Sequence, residues 1–219
     1  DEIRLSRYHA GLLAEMEKAF KASELRWFGN DTLRRLSQKL ADFKQLDAVE
    51  IPPQFLGTLR PYQQEAVNWM QGLCTLELNG ILADDMGLGK TVQVLAHLLI
   101  EKQKNPHLLP CLIIAPTSVV HHWQREIERF APSLTALVLQ GMDRKVKFTA
   151  ITTHDIILTT YPLILRDQAV LLGHDYHMVI LDEAQTIKNA QAKMTQVIQQ
   201  LKAKHRFCLS GTPLENHLG

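Results

Sequence analysis

The sequence predicts an α/β fold: a doubly wound, mostly parallel sheet flanked by helices, with a small helical appendage at the N-terminus. Three observations predict it. After Pro53, short apolar runs alternate with segments of helical periodicity. Several of those runs are continuously apolar, as Cys111–Ala115 and Met178–Leu181 are, which suits strands covered by helices on both faces. A glycine-bearing loop, Asp84-Asp85-Met86-Gly87-Leu88-Gly89, joins an early apolar run to a helix opening on Lys90-Thr91. Alternating strands and helices with such a loop after an early strand argue for a parallel sheet whose ligands bind beyond the strand ends.

In chain order, residues 1 to about 50 read as two helices. Leu5, Leu12, Met16 and Phe20 recur at helical spacing, and Leu33, Leu36, Leu40 and Phe43 make a second stripe after the turn Phe28-Gly29-Asn30-Asp31. Acids and bases balance there, nine of each through Glu50, so this is a helical pair rather than a basic arm. It reads first as a pair that packs on and braces its neighbour, with regulation or recognition of a protein partner as the alternatives. Ile51-Pro52-Pro53 closes it, dividing a flank, residues 1–52, from an α/β lobe, residues 53–219. The strand candidates are Gly80–Ala83, Cys111–Ala115, Ala136–Leu139, Ile156–Thr159, Met178–Leu181 and Arg206–Leu209. Helix candidates lie near Pro61–Gln71, Lys90–Lys102, Ser118–Phe130 and Ala190–Leu201. In a parallel sheet the loops after Ala83, Ala115, Thr159, Leu181 and Leu209 share one edge.

Hydrophobic residues make up 46% of the chain, enough for a sizeable core. No run approaches the ~18 apolar residues of a membrane span, so no membrane partner is expected. Asp1-Glu2-Ile3-Arg4 carries no apolar signal core. Cys74, Cys111 and Cys208 are few and widely spaced; Cys111 and Cys208 read as buried thiols, pointing to a reducing compartment. A net charge of +1 leaves nucleic acid open, because a local patch suffices. One such asymmetry runs from Ala184 to Leu214, which holds Lys188, Lys193, Lys202, Lys204 and Arg206 and no acid. It reads equally as a solvated helix face or a phosphate contact.

The run from Gly80 to Thr91 reads as a buried strand, a loop and a helix start. Its backbone N–H groups can surround phosphate oxygens, with Lys90 reaching the β/γ-phosphates and Thr91 the Mg²⁺. A strict G-x-x-x-x-G-K-[ST] pattern would need glycine where Asp84 stands. Met178-Val179-Ile180-Leu181 leads into Asp182-Glu183. A carboxylate there, Asp182, can hold Mg²⁺ partly through water, and Glu183 can deprotonate an attacking water. Leu209-Ser210-Gly211-Thr212-Pro213 is a third strand-end loop, whose hydroxyls can bond to Asp182, Glu183 or Gln185 and couple the site to other surfaces. Ten histidines give no metal pattern: His122 and Glu126 sit one helical turn apart with no third ligand. Trp123 reads as a packing anchor rather than a base-stacking ring, and Trp69 and Met70 read as core.

From Leu59 to Asn216 these pieces, taken in order, resemble the Swi/Snf-type family of helicase-like ATPases in the second helicase superfamily. Leu59-Arg60-Pro61-Tyr62-Gln63 is similar to the family's adenine-reading element, implying nucleotide contacts from Arg60 and Gln63. Asp85, Met86, Gly87, Leu88, Gly89, Lys90 and Thr91 match its phosphate loop, and Asp84 belongs to that version of it. Pro116, Thr117 and Ser118 resemble its first nucleic-acid motif, and Thr159, Thr160 and Tyr161 its second. Asp182-Glu183-Ala184-Gln185 with Lys188, and the coupling element Ser210, Gly211 and Thr212, complete the set. The short spacings and the Asp-Glu-Ala-Gln form are more similar to bacterial members.

The resemblance implies a RecA-like lobe, ATP and Mg²⁺ as cofactors, and double-stranded DNA as partner, with movement along the duplex generally without strand separation. It also implies a second RecA-like lobe whose arginines reach the γ-phosphate. The lobe alone is therefore expected to bind Mg-nucleotide weakly and turn over little. Such a protein works in the cytoplasm at the nucleoid of a bacterium or in the nucleus of a eukaryote. A strand-separating DNA or RNA helicase, and a nucleotide- or protein-binding module without catalysis, are the alternatives the sequence leaves open.

Overall fold

In a computed structural model of the protein, residues 48–187, 189 and 192–211 are described. The two helices expected before Glu50 lie outside the described residues, apart from their last few positions.

Among the described residues, six strands form a single parallel sheet: β1 (Gly80–Leu82), β2 (Cys111–Ala115), β3 (Ala136–Val138), β4 (Ile156–Thr160), β5 (Asp175–Leu181) and β6 (Lys202–Leu209), in the order β1-β6-β5-β2-β4-β3. The helices between them are α1 (Pro61–Thr75), α2 (Lys90–Lys104), α3 (Val120–Phe130), α4 (Tyr161–Arg166), α5 (Gln168–Leu171) and α6 (Lys193–Gln200). Two 3-10 segments, Met142–Thr153 and Ala184–Ile187, complete the set. The architecture is the expected α/β sheet, with β2 and β5 in its middle. Strand side chains alternate between two faces. Leu112, Ile114, Ile157, Val179 and Leu181 pack on one side with Ile164 of α4, Leu171 of α5 and Val197 and Ile198 of α6. On the opposite side Phe207 meets Trp69 of α1 and His97 of α2 edge-on, at ring separations of 6.2 and 5.7 Å.

Several expectations change. The Gly80–Leu82 run is not a buried strand: β1 is the sheet edge, bonded only to β6, and Ile81 is 38% exposed. An apolar tripeptide reads the same at an edge as in the middle. Strand β6 begins at Lys202 rather than Arg206, so Lys202, Lys204 and Arg206 belong to a strand and not to a helix face. Lys202 and Lys204 lie toward its N-terminal end, away from the strand-end loops. Cys208 is half-buried instead of buried, while Cys74 and Cys111 are enclosed. The short helix α4 is not among the expected helices, although Pro162 marks its first turn. The chain before α1 already packs on the lobe. Val49 exchanges hydrogen bonds with Asn68 Oδ1 (3.0 Å) and Gln64 Nε2 (2.9 Å), and Phe55 stacks on Phe130 at 5.9 Å.

Beneath the sheet, at the strands' N-terminal side, α2 buries a polar group of residues. Gln71 donates to His97 Nδ1 at 2.7 Å, which leaves the His97 proton on Nε2, facing the Cys74 sulfur at 3.7 Å. One turn on, Glu101 pairs with His177 Nε2 at 2.8 Å, and the His177 ring meets His205 edge-on at 5.4 Å. Burial pushes His97 down to about 3 against the pull of Glu101. Burial works to raise Glu101, but the His177 hydrogen bond and the charges of His97 and Lys104 hold it at about 2.

Both groups destabilise the fold in acid, in windows that begin at different pH values and overlap below about 4.3. The unfolded chain takes up the His97 proton below its ordinary value of about 6.5, whereas the folded chain does so only near 3, so stability falls as pH drops through that interval. Glu101 adds its loss only below about 4.3. The melting temperature should therefore begin to fall below about pH 6.5, by roughly 4 °C per unit. His97→Gln should flatten that slope above pH 5 in a thermal-melt series. A flat melting temperature from pH 6.5 to 5 in the unaltered protein would contradict this assignment.

Candidate active site

The loop after β1 is held from below by α1 and α2. Gln63 Nε2, Tyr62 Oη and Gln93 Nε2 all donate to the Leu88 carbonyl, at 3.0, 3.3 and 3.2 Å. Gln63 Oε1 in turn accepts from the Arg60 N–H at 2.9 Å. The Gln63 amide, expected at the base, is thus engaged in bracing the loop. Gly87 and Gly89 have φ of 83° and 78°, the left-handed region that favours glycine. At Gly89 a Cβ would also stand 2.6 Å from Gln63 Nε2. Beyond Gly87 there is open space. The N-cap Gly89 offers no side-chain cap to α2, so the first N–H groups of that helix remain available to an anion. Lys90 Nζ donates to the Asp84 and Asp85 carbonyls at 2.8 and 3.1 Å, and Thr91 lies buried in the first turn. Open glycines, a cation and a helix start together fit a phosphate chain.

The second component is the end of β5, where Asp182 is 6% exposed. Burial raises its pKa, and the charge of Glu183 adds to this. Opposing them, Trp123 Nε1 donates to Oδ2 at 2.8 Å, the Glu183 N–H donates to Oδ1 at 3.0 Å, and Lys90 lies close enough to favour the ionised form. The Asp182 carbonyl accepts from Tyr161 Oη at 2.7 Å, and its N–H bonds to the Ile114 carbonyl at 2.9 Å. Glu183 has φ 51°, a conformation that costs a non-glycine residue of order 1–3 kcal/mol. Thr186 fixes it there, donating from its N–H (3.0 Å) and its hydroxyl (2.8 Å) to the Glu183 carbonyl. Gln185 Nε2 donates to Glu183 Oε2, and Ser210 Oγ donates to Gln185 Oε1 at 3.1 Å. The third loop therefore reaches the second as expected, through Gln185. It also meets the first: the Ser210 N–H bonds to the Leu82 carbonyl at 3.1 Å, and a Cβ on Gly211 would stand 2.6 Å from Met86 Cγ.

The residues expected at nucleic acid divide. Thr117 and Ser118 are exposed beside half-buried Pro116, in the loop after β2. Thr159, Thr160 and Tyr161 are 1, 2 and 3% exposed. Their side chains do not offer donors to DNA, because β4 sits between β2 and β3 and is covered on both faces. The Tyr161 hydroxyl is used inward, on Asp182. Lys188 and Thr212 lie outside the described residues. What the sequence did not supply was Trp123 as a partner of Asp182. It is fully buried, as a packing anchor would be, but its ring nitrogen is 59 positions away in sequence from the carboxylate it bonds.

A family model for the SNF2-related domain matches residues 62–219. The chain belongs to that family. Among its relatives are the Bacillus subtilis (strain 168) protein named "Putative ATP-dependent helicase/translocase YwqA", 43% identical over 190 residues, and the Saccharomyces cerevisiae "ISWI chromatin-remodeling complex ATPase ISW1", 37% identical over 179 residues. These alignments cover 85 and 77% of this chain but only 20 and 15% of the relatives. The chain thus spans a fifth or less of their length. In structure it is similar to the Sulfolobus solfataricus SWI2/SNF2 ATPase core in complex with double-stranded DNA, with TM-score 0.73, 40% identity, and 78% of this chain against 36% of that one covered. The SNF2-family lobe is RecA-like, in agreement with the parallel sheet.

The loop's shape is open to a direct test. Gly89→Ala meets both a left-handed φ and the Gln63 amide. It should weaken nucleotide binding by about tenfold or more while the fold persists. Equilibrium titration with a fluorescent ATP analogue, checked by circular dichroism, reads this, and wild-type affinity would refute the close packing of loop on α1.

Proposed function

We propose that this SNF2-family chain is the first motor lobe of an ATP-dependent double-stranded-DNA translocase, using Mg-ATP. The single observation that supports this best is convergence: the Lys90-Thr91 helix start and the Asp182-Glu183 strand end share one sheet edge, where Ser210 bonds the Leu82 carbonyl ahead of the first loop and, through Gln185, Glu183 of the second. On this reading, ATP phosphates lie on the loop between Gly87 and Thr91. Lys90 leaves the Asp84 and Asp85 carbonyls to meet them, exchanging two neutral acceptors for charged ones. Thr91 and Asp182 would hold Mg²⁺, partly through water, and the charge neutralisation it supplies when bound would fall on the phosphates. The Glu183 carboxylate takes a proton from the attacking water; Gln185 fixes one of its oxygens and so aims the other. Arg60 and Gln63 border the base.

Duplex DNA lies along the Pro116–Ser118 loop. Contacts there are to phosphates, so binding is insensitive to sequence and weakens steeply with salt. The relatives named as a helicase/translocase and a remodelling ATPase, and the archaeal core bound to double-stranded DNA, support a duplex track. Complete turnover also needs a second lobe, because an arginine supplied across the cleft contributes about 10³–10⁵ in rate in related phosphoryl transfers.

The test is ATP turnover by the full-length protein with duplex DNA, single-stranded DNA or RNA added in turn. Duplex should stimulate most. Glu183→Gln should lower stimulated turnover by about 10²-fold or more while ATP still binds, and Lys90→Ala should lose binding. Stimulation by RNA or single strands alone would favour a strand-separating helicase. No turnover with any of them would favour a module that only binds.

A further inference from the structure

Asp182 is bonded from both flanks: by Trp123, in the helix that follows the exposed Thr117-Ser118 loop, and by Tyr161, in the buried second motif. Trp123 belongs to α3, the helix into which the exposed Thr117-Ser118 loop leads. That loop is hydrogen-bonded into the helix start: the Val119 N–H donates to the Pro116 carbonyl at 2.9 Å, and the Trp123 N–H to the Val119 carbonyl at 3.1 Å. From the same helix the Trp123 indole donates to Asp182 Oδ2. On the other flank, Tyr161 stands at the junction of β4 and α4 and its hydroxyl donates to the Asp182 carbonyl. A fully buried indole has no freedom to follow the carboxylate independently of its helix. A shift of the first turn of α3 therefore changes the Trp123–Asp182 bond directly. A packing role alone would be met by any ring of that size; the indole adds a single N–H donor, and it is spent on the carboxylate oxygen.

We infer that Trp123 is a positioning residue through which duplex DNA at the Pro116–Ser118 loop sets the orientation of the Asp182 carboxylate, and with it the site's hold on Mg-nucleotide. The inference rests on the ATP-site reading above. DNA binding and Mg-nucleotide binding are then coupled, and the coupling is reciprocal.

The full-length protein is titrated with Mg²⁺ in the presence of a fluorescent, non-hydrolysable ATP analogue, with and without a blunt DNA duplex. In the unaltered protein, duplex should lower the Mg²⁺ concentration at half-maximal nucleotide binding by about five- to tenfold. Trp123→Phe keeps a buried ring and removes the N–H; the DNA-induced shift should shrink to under about twofold. Ile127→Val, a change of packing one turn along α3, should retain the full shift. The inference is overturned if the unaltered protein shows no shift, if folded Trp123→Phe keeps it, or if Ile127→Val loses it as well. Should Trp123→Phe fail to fold, replacing Trp123 by benzothienylalanine decides: it keeps the bicyclic ring and lacks the N–H, and a full shift in it overturns the inference. Lys90→Ala separates this from the underlying reading. If that variant binds the analogue normally, the ATP-site assignment fails; if it does not bind and Trp123→Phe keeps the shift, only the coupling fails.

Discussion

A carboxylate 6% exposed at the middle of a parallel sheet must be compensated, and the architecture around Asp182 is organised by that requirement. Removing such a charge from water costs several kcal/mol unless hydrogen bonds and cations replace the solvent. Here the Trp123 indole, the Glu183 N–H and the charge of Lys90 do so. Each comes from a different segment, so α3, the end of β5 and the start of α2 have to meet at one point. The Glu183 N–H donates to Asp182 Oδ1, and two Thr186 bonds hold the left-handed backbone at Glu183.

Parallel topology lets so many loops converge. All six strands end on the same edge, so the segments after β1, β2, β5 and β6 become neighbours although they are spread over more than a hundred residues. Helix α2 runs the other way and ties the two edges together. Lys90 begins it at the phosphate loop, and Glu101 ends its buried stretch against His177 beneath the sheet. The lower edge is closed by a buried polar group and the upper by backbone donors and acids.

The sequence made the local parts of this site legible and left the long-range ones hidden. Gly87, Gly89, Lys90 and Thr91 declare a strand–loop–helix by type and spacing, and Asp182-Glu183 is recognisable because a continuous apolar strand precedes it. Ser210 to Gln185 was readable as a short set of alternatives once both loops were put on one edge. Nothing local announces that β1 is an edge, since Gly-Ile-Leu fits either place. Nor does Thr159-Thr160 reveal that its hydroxyls point into a sheet covered on both faces; residue type suggested donors for DNA where strand position dictated burial. The start of β6 was missed because Lys202, Lys204 and Arg206 alternate with apolar residues, a half-buried pattern that an apolar-run criterion passes over. The Trp123 bond spans 59 residues, and a tryptophan at a buried helical position carries no mark of what its nitrogen meets.

The most direct measurement is a structure of the full-length protein with Mg²⁺, a non-hydrolysable ATP analogue and duplex DNA. The account predicts that Lys90 Nζ leaves the Asp84 and Asp85 carbonyls for the phosphates, that Asp182 keeps its Trp123 bond while facing the metal, and that the duplex backbone lies on Pro116–Ser118. Nucleotide bound away from the Gly87–Thr91 loop, or DNA lying at the opposite edge near Glu101 and Lys204, would contradict it.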